Sequence, residues 1–106
     1  MHRISAALIV LLALAPSAWG QDRSSAIEAG RDLADRLCAR CHAVGADDEG
    51  LHKQAPPFRT FTQMWPLESL DEALAEGITV GHPDMPEFVL EPDEIAALIA
   101  YLESLE

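Results

Sequence analysis

Cys38-Ala39-Arg40-Cys41-His42 is the stretch on which the reading of this chain turns. On a helical or helix-terminal backbone, positions three and four apart share a face, so Cys38, Cys41 and His42 can all address one flat ligand. C-x-x-C-H is the attachment signal for c-type haem. Two thiols add across the vinyl groups and the imidazole takes the iron from one side. The chain has 106 residues and 2 cysteines, so every thiol it possesses is committed to this motif. One haem c, covalent through Cys38 and Cys41 with His42 on the iron, is the expected cofactor.

Three other uses of the pair compete with that reading. A zinc site takes three or four Cys, His or carboxylate ligands, usually with a second pair at recognisable spacing, and there is no second Cys pair. A thioredoxin-like redox pair belongs in a βαβ context, which the surrounding sequence does not offer. A disulfide between i and i+3 closes too small a loop to stabilise much. The histidine directly after the second cysteine favours haem over all three.

Working outward, His2-Arg3 precedes the apolar run from Ile4 to Ala15, then Pro16, Ser17 and Ala18-Trp19-Gly20. A basic start, a short apolar centre and a small-residue site before Gln21 read as a cleavable secretory signal over residues 1–20. The run is short of the ~20 residues a spanning helix needs, so no membrane span is expected after cleavage. An uncleaved N-terminal anchor is the alternative. Residues 21–106 then make one small domain, of a size that usually relies on a staple. A covalent haem would be that staple, and the haem-free form should fold poorly.

Lys and Arg total 7 against 18 Asp and Glu, for a formal charge of -11. Arg3 is the one charged residue of the expected signal, so the domain alone is one unit more negative. Nucleic acid is excluded as a partner, because phosphate binding needs clustered Lys and Arg. A redox protein with a basic docking surface fits better, since complementary charge speeds encounter. An acidic, soluble surface with no dedicated partner face is the plainer alternative.

Gln21 to Ser24 reads as a short polar tail. Ser25 and Glu28 form a capping box that predicts a helix over about 26–40, with Ile27, Gly30, Ala34, Leu37 and Cys41 on one stripe. Gly45, the run Asp47-Asp48-Glu49-Gly50, Pro56-Pro57 and Pro66 predict a looped segment from Ala43 to Pro66. Wrapping a cofactor would justify its length. Ser69 and Glu72 repeat the capping pattern and open a helix of two turns that closes at Gly77. Ile78 to Leu90 carries Gly81, Pro83 and Pro86 and reads as an ordered loop. Pro92 at the first helical position, with Asp93 and Glu94, opens the last helix, whose face is Ile95, Leu98, Ile99, Leu102 and Leu105. Nothing alternates like a strand, and an all-α fold of three to four short helices with long loops around one haem is expected.

Met85 is the best candidate for the second iron ligand. Pro83 and Pro86 restrict the backbone on either side of it, and Met opposite His raises the reduction potential relative to two nitrogens. His82 is the rival, His52 a weaker one, and Met64 beside Trp65 is more simply explained by packing.

With these residues in place, residues 21–106 resemble a small monohaem class I cytochrome c of the bacterial, exported kind. The match runs from an N-terminal helix into C-x-x-C-H, through a looped middle and a methionine loop, to a C-terminal helix. The resemblance implies that the terminal helices cross closely, with Gly30 meeting Leu98 and Tyr101. Where the family commonly has an aromatic residue four before the first Cys, this chain has Ala34, so the crossing must be packed differently or more closely. The resemblance also implies a proline carbonyl orienting His42, from Pro56 or Pro57 with Pro57 favoured; Arg59 and Trp65 are candidates to contact a haem propionate, since a buried carboxylate wants a charged or N–H donor, with ordinary surface and core roles as the alternative. A periplasmic single-electron carrier, not itself an enzyme, is the implied function. A haem subunit of a fixed periplasmic oxidoreductase complex and a ligand-binding or peroxidatic haem protein with a labile Met85 are the alternatives.

Overall fold

Helix α1 (Ala18–Leu37) is the first regular element of the computed structural model, which describes residues 10, 12–13, 18–78 and 82–106. Most of the expected signal segment, residues 1–9, 11 and 14–17, lies outside the described residues, as does Gly81. The capping box predicted at Ser25 and Glu28 is not used, because both lie inside α1. Serine costs only a few tenths of a kcal/mol in a helix interior, and no proline interrupts the stretch from Ala18 onward. A helix nucleated on its buried C-terminal half therefore propagates backward past a possible cap. That half buries Leu33 and Ala34.

The other long element, α4 (Pro92–Ser104), starts as expected with Pro92 at its first turn. Its cap is supplied by Glu91, whose backbone N–H donates to the Glu94 carboxylate at 3.0 Å in a reciprocal capping box. Ile95, Ala97, Leu98, Tyr101 and Leu102 form its buried face.

α1 and α4 cross at Gly30. A Cβ built there would run into the Ala97 carbonyl oxygen and lie 2.8 Å from Tyr101 Cβ. Tyr101 is the expected partner. The backbone of Ala97 lies closer still, and its neighbour Leu98 lines the cavity described below. Ala34, completely buried, is the small residue that allows the close approach. The Tyr101 hydroxyl donates to the Val44 carbonyl, tying the crossing to the chain just beyond the haem motif. Burial pushes the phenol pKa up, which keeps it a donor.

Gly30→Ala is accordingly expected to force the two helices apart, at a cost of about 2–3 kcal/mol for overpacking a tight site. In a domain of this size that lowers Tm by roughly 10–20 °C. Thermal unfolding of the haem-loaded variant measures it, and an unchanged Tm would mean that the crossing is looser than described.

Between the long helices lie a 3-10 turn (Phe58–Thr60), α2 (Phe61–Met64) and α3 (Leu67–Glu76). The predicted loop from 43 to 66 thus holds two short helical pieces. α3 starts after Pro66, so Ser69 is inside it and does not cap it, and its 10 residues exceed the two turns expected. Gly77 closes it as predicted, at φ 104°, a conformation that favours glycine. The methionine loop that follows is pinned at both ends. Ile78 N–H donates to the Phe88 carbonyl at 3.4 Å, and Leu90 N–H to the Leu74 carbonyl at 3.0 Å. Among the described residues there is no strand, and the fold is all-α.

Candidate cofactor site

The C-x-x-C-H motif begins where α1 ends. Cys38 N–H still bonds back to the Ala34 carbonyl at 2.9 Å, and then Cys41 and His42 N–H both donate to the Cys38 carbonyl, at 3.1 and 2.9 Å. This tight turn is the helix-terminal geometry that lets three side chains spaced 0, 3 and 4 serve one ligand. The following loop lies directly on it. His52 N–H donates to the Cys41 carbonyl at 3.1 Å, and a Cβ at Gly50 would sit 2.7 Å from that same oxygen.

His42 is held in one tautomer. Its Nδ1 lies 2.7 Å from the Pro56 carbonyl oxygen, which can only accept, so Nδ1 carries the proton and the Nε2 lone pair is free for a metal. Phe58 and Phe61 pack against the ring at centroid distances of 5.3 and 5.8 Å. Phe58 is itself placed by a 2.9 Å bond from its N–H to the Ala43 carbonyl. The orienting carbonyl is therefore that of Pro56 and not of Pro57. The Pro57 oxygen is taken by the Thr60 hydroxyl at 2.6 Å and its N–H at 3.0 Å.

A cavity of about 610 Å³ opens beside His42, within the 300–1,000 Å³ usual for cofactor pockets. All four helices contribute to its wall: Leu33 and Leu37 from α1, Phe61 and Met64 from α2, Leu70 and Leu74 from α3, Leu98 and Leu102 from α4. Met85 and Phe88 close it from the methionine loop. No polar residue is buried among the described residues, so this wall suits a large apolar plate. Cys38 lines the main cavity and Cys41 a small adjoining one. The two cavities share His42, Gln54, Pro56, His82 and Met85. Burial pushes the Cys38 thiol pKa up to about 11, so it stands protonated at neutral pH, a neutral group in an apolar wall.

Of the residues singled out from the sequence, Cys38, Cys41, His42 and Met85 are thus brought around one space. Trp65 also lines it, half-exposed and edge-on to Phe61. Arg59 does not line it: its guanidinium donates to the Asp48 carbonyl at 2.8 Å on the exposed side of the loop. Sequence reasoning missed Phe58, Phe61 and Gln54. Phe58 directly after Pro56-Pro57 and Phe61 three residues on, in a chain with 3 phenylalanines in all, were the available signal for the aromatic wall. Met64 lines the cavity as well, its sulfur 3.5 Å from the Thr60 hydroxyl oxygen.

The family model described as Cytochrome c matches residues 27–106, which include the whole motif, both crossing helices and the cavity. The chain belongs to the cytochrome c family. It is similar to the cytochrome c-552 of Bradyrhizobium diazoefficiens, 34% identical over 109 residues that cover 99% of this chain and 98% of that protein. No solved structure gives a significant match. Membership means that this cytochrome carries covalently attached haem c and works in haem-based electron transfer with redox partners. The residues fit the group, with thiols, imidazole and apolar walls where a haem needs them. Among the described residues, no helix is long and apolar enough to cross a membrane.

Proposed function

We propose that this cytochrome is a periplasmic carrier of single electrons, with its haem joined to Cys38 and Cys41 and its iron held between His42 and Met85. The observation that carries this reading is that His42 and Met85 line one apolar cavity while Pro56 leaves His42 only Nε2 for the metal. Bound haem supplies the one-electron iron couple. The chain's own residues hold its surroundings steady. The Pro56 carbonyl fixes the imidazole, Phe58 and Phe61 pack the ring, and the pinned ends of the methionine loop hold Met85 at the cavity. With His42 and Met85 both holding the iron, the haem would leave no position open for a substrate and would supply one-electron transfer without turnover.

Residues 1–20 act in this reading as a cleavable export signal and residues 21–106 as the haem domain. The acidic surface meets a basic face on donor or acceptor, so association should weaken as salt rises. Trp65 lies at the half-exposed rim of the cavity, where a haem propionate could accept from its indole N–H.

Absorption spectra of the exported protein, oxidised, reduced and after carbon monoxide, test the axial ligands. The expected result is the weak long-wavelength band of Met on ferric iron, with no change on adding carbon monoxide to the reduced form. A missing band together with a carbon monoxide shift would remove Met85 from the iron and favour the ligand-binding alternative.

A further inference from the structure

We propose that His52, His82 and Asp84 form a binding site for a divalent transition-metal ion, with zinc as its simplest occupant, at the edge of the haem cavity. One ligand atom from each lies within 4.8 Å of the others. His52 Nε2 stands 3.0 Å from Asp84 Oδ2, and the two imidazole rings are perpendicular with centroids 5.2 Å apart. Donors around tetrahedral zinc sit roughly 3.4 Å from one another, given bond lengths of about 2.1 Å. Rotations of partly exposed side chains close that gap without moving the backbone.

The donor set suits zinc, copper or nickel more than calcium or magnesium, which prefer shells of oxygen alone. It leaves a fourth position for water. His52 Nδ1 accepts from Gln54 N–H at 3.1 Å, and His82 Nδ1 from Asp84 N–H at 3.2 Å. The ring protons therefore sit on Nε2, where His52 faces Asp84 and His82 faces the Gln54 side-chain oxygen. An ion taking both Nε2 atoms displaces those protons and costs the two amide bonds. Affinity is then on the order of micromolar, below that of a closed four-ligand site.

The ion would join two loops that meet at the cavity's mouth. His52 belongs to the segment laid over the haem motif, whereas His82 and Asp84 directly precede Met85. Both histidines, with Asp84, line the small cavity that also contains Cys41, His42 and Met85. A positive ion there favours the reduced centre, and by linkage the reduced protein binds the ion more tightly. This coupling, unlike the site itself, rests on the electron-carrier reading above. A tenfold difference in affinity between the two states corresponds to 59 mV for one electron.

Zinc sulfate titrated into the haem-loaded protein by calorimetry, with millimolar magnesium to occupy the scattered carboxylates, is the test. One zinc per chain is expected, bound at least tenfold more weakly by each of His52→Asn, His82→Asn and Asp84→Asn and equally by Asp93→Asn, and more tightly when the iron is reduced. The absorption spectra of the three variants should match the parent, which also shows that they fold. Absence of saturable binding, or binding that survives all three substitutions, overturns the site. A parent spectrum that lacks the long-wavelength band and gains it in His82→Asn overturns it too, because His82 is then engaged at the iron. Equal affinity in both oxidation states overturns the coupling. Failure of the Met85 assignment shows separately, in the parent spectrum without zinc.

Discussion

A haem-free chain carrying Cys38→Ser and Cys41→Ser will show no cooperative thermal transition. The reason is the size of the cavity. Residual cavity volume in a protein interior costs about 24 cal/mol per Å³, so a dry space of about 610 Å³ would cost on the order of 15 kcal/mol. That equals or exceeds the roughly 5–15 kcal/mol by which a typical domain is stable at all. Water does not rescue it, because the wall is mostly apolar and His42, Gln54, Ser69 and His82 are its few hydrogen-bonding partners. Without the cofactor, α1, α3 and α4 lose the surface on which they converge, and the chain collapses into something less specific. Circular dichroism against temperature would measure this. A sharp transition close to that of the haem-loaded protein would mean that the helices pack on one another well enough without a plate between them.

Met85→Ala should leave the haem attached and remove the long-wavelength band from the ferric spectrum. Its reduction potential should fall by on the order of 0.1–0.2 V, a part of the ~0.8 V over which axial ligands set haem potentials. A thioether stabilises ferrous iron relative to nitrogen or oxygen donors, so its replacement by water, or by His82 swinging in from the same cavity wall, is legible in the size of the fall. Covalent attachment is untouched, since Cys38 and Cys41 lie on the opposite segment of the chain. The variant should also bind carbon monoxide when reduced. A band that persists in Met85→Ala would assign the ligand to Met64, the other methionine on the wall.

The haem motif, the start of α4 at Pro92 and the end of α3 at Gly77 were legible in the sequence because each rests on chemistry local to a few residues. Where the reading failed, competing choices were nearly equal in energy or lay one residue apart. Ser25 is a good cap, but a helix that needs no cap there simply continues through it. Pro56 and Pro57 offer two carbonyls on adjacent residues. Which of them faces His42 is decided by the 3-10 turn at Phe58–Thr60, which claims the second for Thr60. At the crossing, the rotation of α4 that turns Leu98 toward the cavity brings the Ala97 backbone onto Gly30. Arg59 is held by the main-chain oxygen of Asp48, outside the lining of the cavity.

The meeting of Gly30 with Ala97 and Tyr101 also sets a sequence of events in the making of the protein. Chains emerge N-terminus first, so the attachment segment at 38–42 exists well before the 13-residue α4. Until that last helix arrives, α1 has no partner across the crossing and the Val44 carbonyl has no phenol to bind. The wall formed by Leu98 and Leu102 is missing too. Cys38, Cys41 and His42 would thus stand open to the haem until both cofactor and α4 are in place. Closure of the loop between the two ends carries an entropic cost that only the finished contact repays. Loss of even the final two turns of α4 would therefore leave a chain competent to receive its haem and unable to shut around it.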